Sequence, residues 1–278
     1  MISVANLGTL DYPTALQLQR KLVELRKENR IGDTLLLLEH PPVITLGRNA
    51  KAANILASAE QLSARGVEVF ESDRGGNVTF HGPGQVVGYP IFDLRTFSSV
   101  DPKRQTLGVI EYVRRLEEVL IRTCSEFGIS TQRICRLTGV WTHPDRVGTA
   151  APGCAAEQSP ANNLSFEAAK IAAIGIHISR SITSHGFALN VDTDLDFFNL
   201  IIPCGIVSKP VTSMAKELGR TVDRIEVTNA IVRTFGEVFD SQILFVENIE
   251  DLLNPVGVPL KIPANLRTIH RSEEIFPA

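Results

Sequence analysis

The sequence predicts an α+β protein: a mixed β-sheet with flanking helices gathered on one side. Three observations carry this. Apolar runs of strand length come in hairpin-like groups between amphipathic stretches, rather than in the strict strand–helix alternation of a doubly wound parallel sheet. The 278 residues are 44% apolar and 21% charged, a globular balance able to fill one sizeable core. No internal repeat and no linker divides the chain, so residues 1–245 are read as a single catalytic domain with an inserted loop at about 143–166. Residues 246–278 are read as an extension packed on it or partly disordered.

The elements follow in order. Leu18, Leu22 and Leu25 recur at helical spacing and predict a helix over 13–30. Residues 34–39 and 43–46 are short apolar runs broken by Pro41-Pro42, a strand, turn and strand. Asn54 is placed to cap a helix over 55–64, with Gly66 past its end. Residues 67–72 and 86–94 read as strands on either side of a glycine-rich segment. Asp101-Pro102 is expected to open the longest helix, whose stripe of Leu107, Ile110, Val113, Leu116, Leu120, Cys124 and Phe127 stops at Gly128. Cys124 lies on that stripe and reads as a core filler. Residues 143–166 are rich in Pro, Gly, Ala, Ser and Asn and read as a long loop. Residues 170–191 alternate over hairpin length. A short helix over 194–200, another capped by Thr212 and ended by Gly219, and an amphipathic helix over 222–239 complete the chain.

Composition excludes several functions. A net charge of −3 and a pI near 6.1 give no basic field for nucleic acid. No apolar run reaches the ~18 residues of a spanning helix, so no membrane partner is expected. The N-terminus lacks the basic start, apolar stretch and cleavage site of a leader, and the chain reads as cytoplasmic. The four cysteines form no C-x-x-C and are read as free thiols in a reducing compartment. There is no phosphate-binding G-x-x-x-x-G-K-[ST], no H-E-x-x-H, no Cys/His metal cluster and no G-x-S-x-G elbow. No cofactor and no metal are expected.

Three segments remain for chemistry. Residues 73–89, DRGGNVTFHGPGQVVGY, hold five glycines around Arg74, His81 and Gln85. Glycines let backbone N–H groups approach a ligand, Arg74 offers a planar fork of donors, and His81 titrates near neutral pH. A turn with a bulge needs the glycines but not those three side chains. The second segment is IIPCG, residues 201–205, where Cys204 is held by proline on one side and unhindered by glycine on the other. The third is Lys170, at the mouth of the apolar run KIAAIGI. A nearby ammonium lowers a thiol's pKa. A free thiol near ~8.5 is only a few per cent ionised at pH 7, and a tenfold gain in its acidity corresponds to ~1.4 kcal/mol. The hairpin also carries Ser184-His185-Gly186-Phe187-Ala188, with His185 a further candidate for the pocket wall.

These blocks resemble the bacterial lipoyl(octanoyl) transferases. The resemblance rests on RGGNVTFHGPGQVVGYPI, GVW at 139–141, KIAAIGIHISRSITSHGFALNV, and PCGI followed by VTSM, and runs in order from about residue 35 to 239. It implies a fold similar to the catalytic domain of biotin and lipoate protein ligases. It implies that an octanoyl group moves from octanoyl-acyl carrier protein to a lysine of lipoyl domains, in 2-oxoacid dehydrogenase complexes and the glycine cleavage H protein. It assigns Cys204 as acyl acceptor and Lys170 as the group lowering its pKa. The substrate-binding residues it implies are Arg74, Gly75, Gly76, Asn77, Val78, Thr79, Phe80 and His81, then Ala173, Ile174 and Gly175, then Gly186, Phe187 and Ala188. The acyl chain is expected against the glycine-rich backbone, and His81 or Lys170 to mediate proton loss from the incoming amine. The two protein partners are expected to be acidic; of the basic groups Arg20, Lys21, Arg48, Lys51 and Arg74, only Arg74 is read as more than a solvated charge.

The chain departs from the family pattern in three places. Phe80 stands where the family usually has Tyr, the 143–166 stretch is longer than the usual turn and adds Cys154, and the tail is extended. Three alternatives stay open: an ATP-dependent lipoate or biotin protein ligase, which needs no nucleophilic cysteine, a non-catalytic carrier-protein binding module, and a thioester hydrolase using the same thiol.

Overall fold

The computed structural model describes residues 1–143, 168–203 and 209–247, with Ile249 and Leu252 beyond them. The expected loop at 143–166, apart from His143, and the tail past 252 lie outside the described residues, as do Cys154 and Cys204. The elements are β1 (Ile2–Thr9), α1 (Tyr12–Lys27), β2 (Asp33–Glu39), β3 (Val43–Leu46), α2 (Ala59–Ala64), β4 (Glu68–Glu71), β5 (Val78–His81), β6 (Gln85–Ile91), α3 (Val109–Glu126), β7 (Thr131–Ile134), β8 (Leu137–Thr142), β9 (Lys170–Ser179), β10 (Ile182–Asn190), α4 (Met214–Leu218), α5 (Arg224–Val238) and β11 (Ile243–Phe245).

The strands form an eight-stranded sheet in the order β11-β1-β2-β6-β10-β9-β8-β7 and a three-stranded sheet β4-β3-β5. β1 runs parallel to β2 and β11, and β3 parallel to β4, while the other pairs are antiparallel. The sheet is therefore mixed, as the hairpin grouping predicts. β1 escaped the sequence reading: ISVANLGT has no clean alternation, and its partner β11 comes from the far end of the chain.

The helices do not gather on one side. Side chains alternate across the sheet: Ile2, Val4, Leu35 and Leu37 pack with Leu116, Leu120, Ile231 and Phe235 of α3 and α5. Ala5, Leu7, Leu36 and Leu38 pack on the other face with Leu18, Leu22 and Leu25 of α1. Central strands buried on both faces read as continuous apolar runs, and TLLLL of β2 is such a run, which conceals the second layer. A third cluster joins Ile44, Val78 and Phe80 of the small sheet to Leu200 and Ile201.

Three helix starts differ from expectation, those of α2 and α4 because another group caps better and that of α3 because the residues before it bond elsewhere. α1 begins as predicted, with the Asp11 carboxylate accepting from Thr14 N–H at 2.9 Å. α2 starts at Ala59, where Ser58 and Gln61 form a capping box; Asn54 instead spends its amide on Asn77 Oδ1 at 2.6 Å. α3 starts at Val109 rather than 102. Asp101 closes a local turn by accepting from Lys103 N–H, and Leu107 N–H is drawn to the carbonyls of Leu94 and Phe97. α4 is capped by Ser213, one residue after Thr212, and ends as predicted at Gly219 in the left-handed conformation, φ +65°. Cys124 is fully buried on α3, where desolvation pushes its thiol up to about 12.

Candidate active site

The sheet, the small sheet and the first turn of α1 enclose a cavity of about 270 Å³. Its floor is the β9–β10 hairpin. The two triplets singled out in the sequence are cross-strand partners there: Gly186 opposite Gly175, Phe187 opposite Ile174, and Ala188 opposite Ala173. All six line the cavity, as does His185. Arg74, Gly76, Asn77, Val78, Thr79 and His81 supply the roof. The residues predicted from two distant segments thus converge.

Phe80 does not line the cavity. Alternation along β5 turns its ring away from the face of Thr79 and His81, into a stack on Phe197 with centroids 4.7 Å apart and an edge contact with Phe198. Its tip lies against Gly82, so the Tyr-to-Phe change takes no hydroxyl from the cavity. Gly75 does not line it either. Its N–H donates to Ile176 O at 2.8 Å, clipping the loop onto β9.

The glycines mostly serve backbone-to-backbone approach rather than the ligand. A Cβ on Gly175 would sit 2.8 Å from the Gly75 carbonyl oxygen, one on Gly186 would run into the Gly88 carbonyl, and one on Gly88 into the Phe187 ring. Gly76, at φ +89°, is the one of the five in the segment that lines the cavity.

Arg74 is buried, so it is not a solvated charge and does not present its guanidinium to an acidic partner at the surface. Its Nη2 donates to Thr45 O at 2.6 Å, Nε to Thr45 Oγ1 at 3.1 Å, and Nη1 to Gly75 O at 3.1 Å. Much of its fork holds the loop to β3. His81 faces Gln85 Oε1 at 3.2 Å, and Gln85 and Asn190 carry the chain of hydrogen bonds on to Thr212 O. Burial drives the His81 pKa well below the usual imidazole range, reinforced by His40 and Arg74. A neutral imidazole of such low basicity is a poor proton acceptor at pH 7.

Lys170 opens β9, buried, with Nζ 4.7 Å from the Trp141 ring centroid, a cation–π contact. Gly139 leaves room for the lysine stem: a Cβ there would be 3.3 Å from Lys170 Cε and 3.6 Å from Nζ. The Lys170 backbone N–H donates to Pro210 O at 2.8 Å and its carbonyl accepts from Thr212 N–H at 2.9 Å. On the other side of residues 204–208, Ile202 N–H donates to Asn54 O at 2.8 Å, and Asn54 bonds Asn77 of the roof.

Sequence reasoning missed Tyr12, Tyr89, Arg136, Leu137 and Thr138, which also line the cavity. Tyr89 offered one signal: it shares strand parity with Gln85. Tyr12 lies one residue before the helix predicted over 13–30 and gave no signal. Asp73, just outside the cavity, binds His185 Nε2 through Oδ1 at 2.7 Å, and that hydrogen bond holds its carboxyl well below the usual range. Among the described residues no cluster of His, Cys, Asp and Glu is arranged for a metal. Nor is any helix among them long and apolar enough to cross a membrane.

The family model for the lipoyl protein ligase A/B catalytic domain matches residues 11–236. The chain is 57% identical over 274 residues to an octanoyltransferase of Koribacter versatilis (strain Ellin345), covering 98% of each chain. It is 52% identical to an octanoyltransferase of Acidobacterium capsulatum over 91% of this chain and 96% of that one. Among solved structures, the bi-partite lipoate protein ligase of Thermoplasma acidophilum superposes with TM-score 0.62 at 15% identity, covering 92% and 91% of the two chains. A lipoate-protein ligase A bound with ATP gives TM-score 0.61 at 16% identity, covering 92% of each. The expected likeness to lipoate ligases is borne out at the level of fold, and the chain belongs to the lipoyl protein ligase A/B catalytic domain family.

Proposed function

We propose that the chain transfers an octanoyl group from acyl carrier protein to the side-chain amine of a lipoyl-domain lysine, through a thioester on Cys204. The observation that carries this reading is the setting of Lys170: a buried cation beside the cavity, its backbone paired with residues 210–212, which follow Cys204 within a few positions. Ile202, two residues before the thiol, is tied through Asn54 to the cavity roof. The names of the relatives that are about half identical to the chain support the same reaction.

In the first step the Cys204 thiolate attacks the carrier thioester carbonyl, the new C–S bond forms, and the carrier thiolate leaves. One thioester replaces another, so the exchange is near balance without ATP. In the second step the deprotonated lysine amine attacks the Cys204 thioester, the C–S bond breaks, and a more stable amide forms as the thiolate returns. The Lys170 ammonium favours the thiolate in both steps. The proton that the amine nitrogen sheds as the amide forms passes to solvent: a Lys170 ammonium has no lone pair to take it, and His81 is weakly basic. The apolar triplets of β9 and β10 take the chain, each buried CH₂ contributing ~0.8 kcal/mol.

Intact-mass spectrometry after incubation with octanoyl-acyl carrier protein, without ATP or Mg²⁺, tests the reading. One octanoyl adduct, released by hydroxylamine, mapped to Cys204 and absent from Cys204→Ala, is expected. Octanoylation of a lipoyl domain by Cys204→Ala at the wild-type rate would overturn it. A strict requirement for ATP would favour the ligase alternative.

A further inference from the structure

The end of the cavity away from Lys170 is built of rings whose polar heads point outward. Tyr12 Oη donates to Ser72 Oγ at 2.8 Å. Tyr89 Oη lies 2.7 Å from His40 Nε2, and His40 Nδ1 lies 2.6 Å from Leu10 O. The carbonyl can only accept, so Nδ1 carries the proton and the tyrosine donates to Nε2. His185 Nε2 is held by Asp73 at 2.7 Å. Ser72, His40 and Asp73 are not cavity residues. What Tyr12, Tyr89 and His185 turn to the cavity is therefore mainly ring carbon, an apolar end wall made from polar residues.

The wall is rigid. Ring centroids run from Tyr12 to His40 at 5.5 Å, His40 to Tyr89 at 5.9 Å, and Tyr89 to His185 at 6.4 Å. His185 is also fixed through its backbone, which takes φ +55° inside a strand and donates its N–H to Gln19 Oε1 at 2.7 Å. A non-glycine residue in that region costs energy and persists only where its surroundings hold it.

Its distance from the lysine matches one acyl length. Gly139, whose Cβ would lie 3.6 Å from Lys170 Nζ, would also meet the Ala172 carbonyl oxygen at 2.7 Å, which puts the lysine head in the neighbourhood of Ala172. His185 pairs with Ile176, four residues further, or ~13 Å at 3.3 Å per residue. Seven C–C bonds of ~1.5 Å opened at about 111° extend an octanoyl chain ~9 Å from its carbonyl carbon, and carbon–carbon contact adds ~4 Å.

We propose that the pinned rings of Tyr89 and His185 gauge acyl length, admitting eight carbons from a thioester beside Lys170 and rejecting longer chains. The proposal rests on the acyl-transfer reading above and adds its specificity determinant. Acylation rates with octanoyl, decanoyl and dodecanoyl carrier protein test it. Wild type should fall about tenfold or more from octanoyl to decanoyl, as one or two unaccommodated methylenes usually cost. His185→Gly, chosen because φ +55° suits glycine, should raise the decanoyl-to-octanoyl ratio at least tenfold. Asp73→Ala, which removes a half-exposed side chain and unpins the ring, should raise it by less. Ratios unchanged in both variants, or a wild type indifferent to length, would overturn the gauge while leaving acyl transfer intact. A wild type that takes up no acyl group of any length would instead overturn the reading beneath it.

Discussion

At the scale of the residue, His40 shows how burial turns a titratable group into a structural one. It is fully buried, and desolvation lowers its pKa to about 4, against ~6.5 in an unfolded chain. Between those values the unfolded chain binds the proton and the folded chain does not. The stability it secures is thus complete above pH 6.5 and lost as pH falls toward 4, roughly 3 kcal/mol at ~1.4 kcal/mol per pH unit. Denaturant midpoints measured from pH 7.5 to 4.5 should fall for the wild type, and fall less steeply for His40→Gln; parallel slopes would show that His40 is not responsible.

Residue chemistry was legible where a side chain was costly in its local setting: Arg74 and His81 among glycines. It was not legible for Tyr12 and Tyr89. An aromatic ring on a helix or strand reads as core, and only the three-dimensional meeting of α1, β6 and β10 makes these rings a cavity wall. Phe80 was misplaced for the converse reason: sequence adjacency to Thr79 and His81 does not survive the alternation of a strand.

At the scale of the element, the glycines that looked like a ligand cradle are largely spacers between strands. Gly186 is the sharpest case, because the obstacle is the Gly88 carbonyl, which belongs to the neighbouring strand's backbone. Gly186→Ala should destabilise the fold by about 1–3 kcal/mol, the usual cost of overpacking, read as a lowered midpoint in chemical denaturation. Gly66→Ala meets nothing within 4 Å but sits at φ +65°, and should cost about 1 kcal/mol from backbone strain alone. Equal losses at the two sites would contradict the spacer role.

Helices were predicted well where the apolar stripe set them and poorly where a cap did. Asn54 and Asp101 are good caps in isolation, but a tertiary hydrogen bond to Asn77 occupies the first and a local turn the second. The stripe of α3 holds at Leu116, Leu120 and Cys124, which are wholly buried, and fails at its start, where Ile110 is exposed. Leu116→Ala should cost about 2–5 kcal/mol, the range for a buried leucine cut to alanine. A loss under about 1 kcal/mol in equilibrium unfolding, below that range, would mean that the α3 face is not the main core.

At the scale of the whole molecule, the two-faced sheet explains why one fold serves different chemistries. α3 and α5 secure one face, which frees the other, with α1, the small sheet and the glycine-rich loop, to shape a cavity. The architecture is shared with lipoate ligases, so the fold alone does not say whether acyl activation uses a nucleotide or a thiol. In the proposed reaction that distinction rests on the Cys204 thiol with Lys170 beside it, and neither residue stands out by its local setting alone: it is their pairing, and the resemblance of the blocks around them, that makes them visible in the sequence.

The thiolate itself is the most direct object of measurement. The rate of Cys204 alkylation by iodoacetamide against pH, followed by peptide mass spectrometry, reports its pKa in the wild type and in Lys170→Met. An ammonium beside the sulfur should place the wild-type midpoint at about 6.5–7.5, below the ~8.5 of a free thiol. Lys170→Met should return it toward that value, with acyl transfer at pH 7 falling about 10- to 25-fold as the thiolate fraction drops. The same midpoint in both proteins would contradict the pairing of this lysine with this thiol.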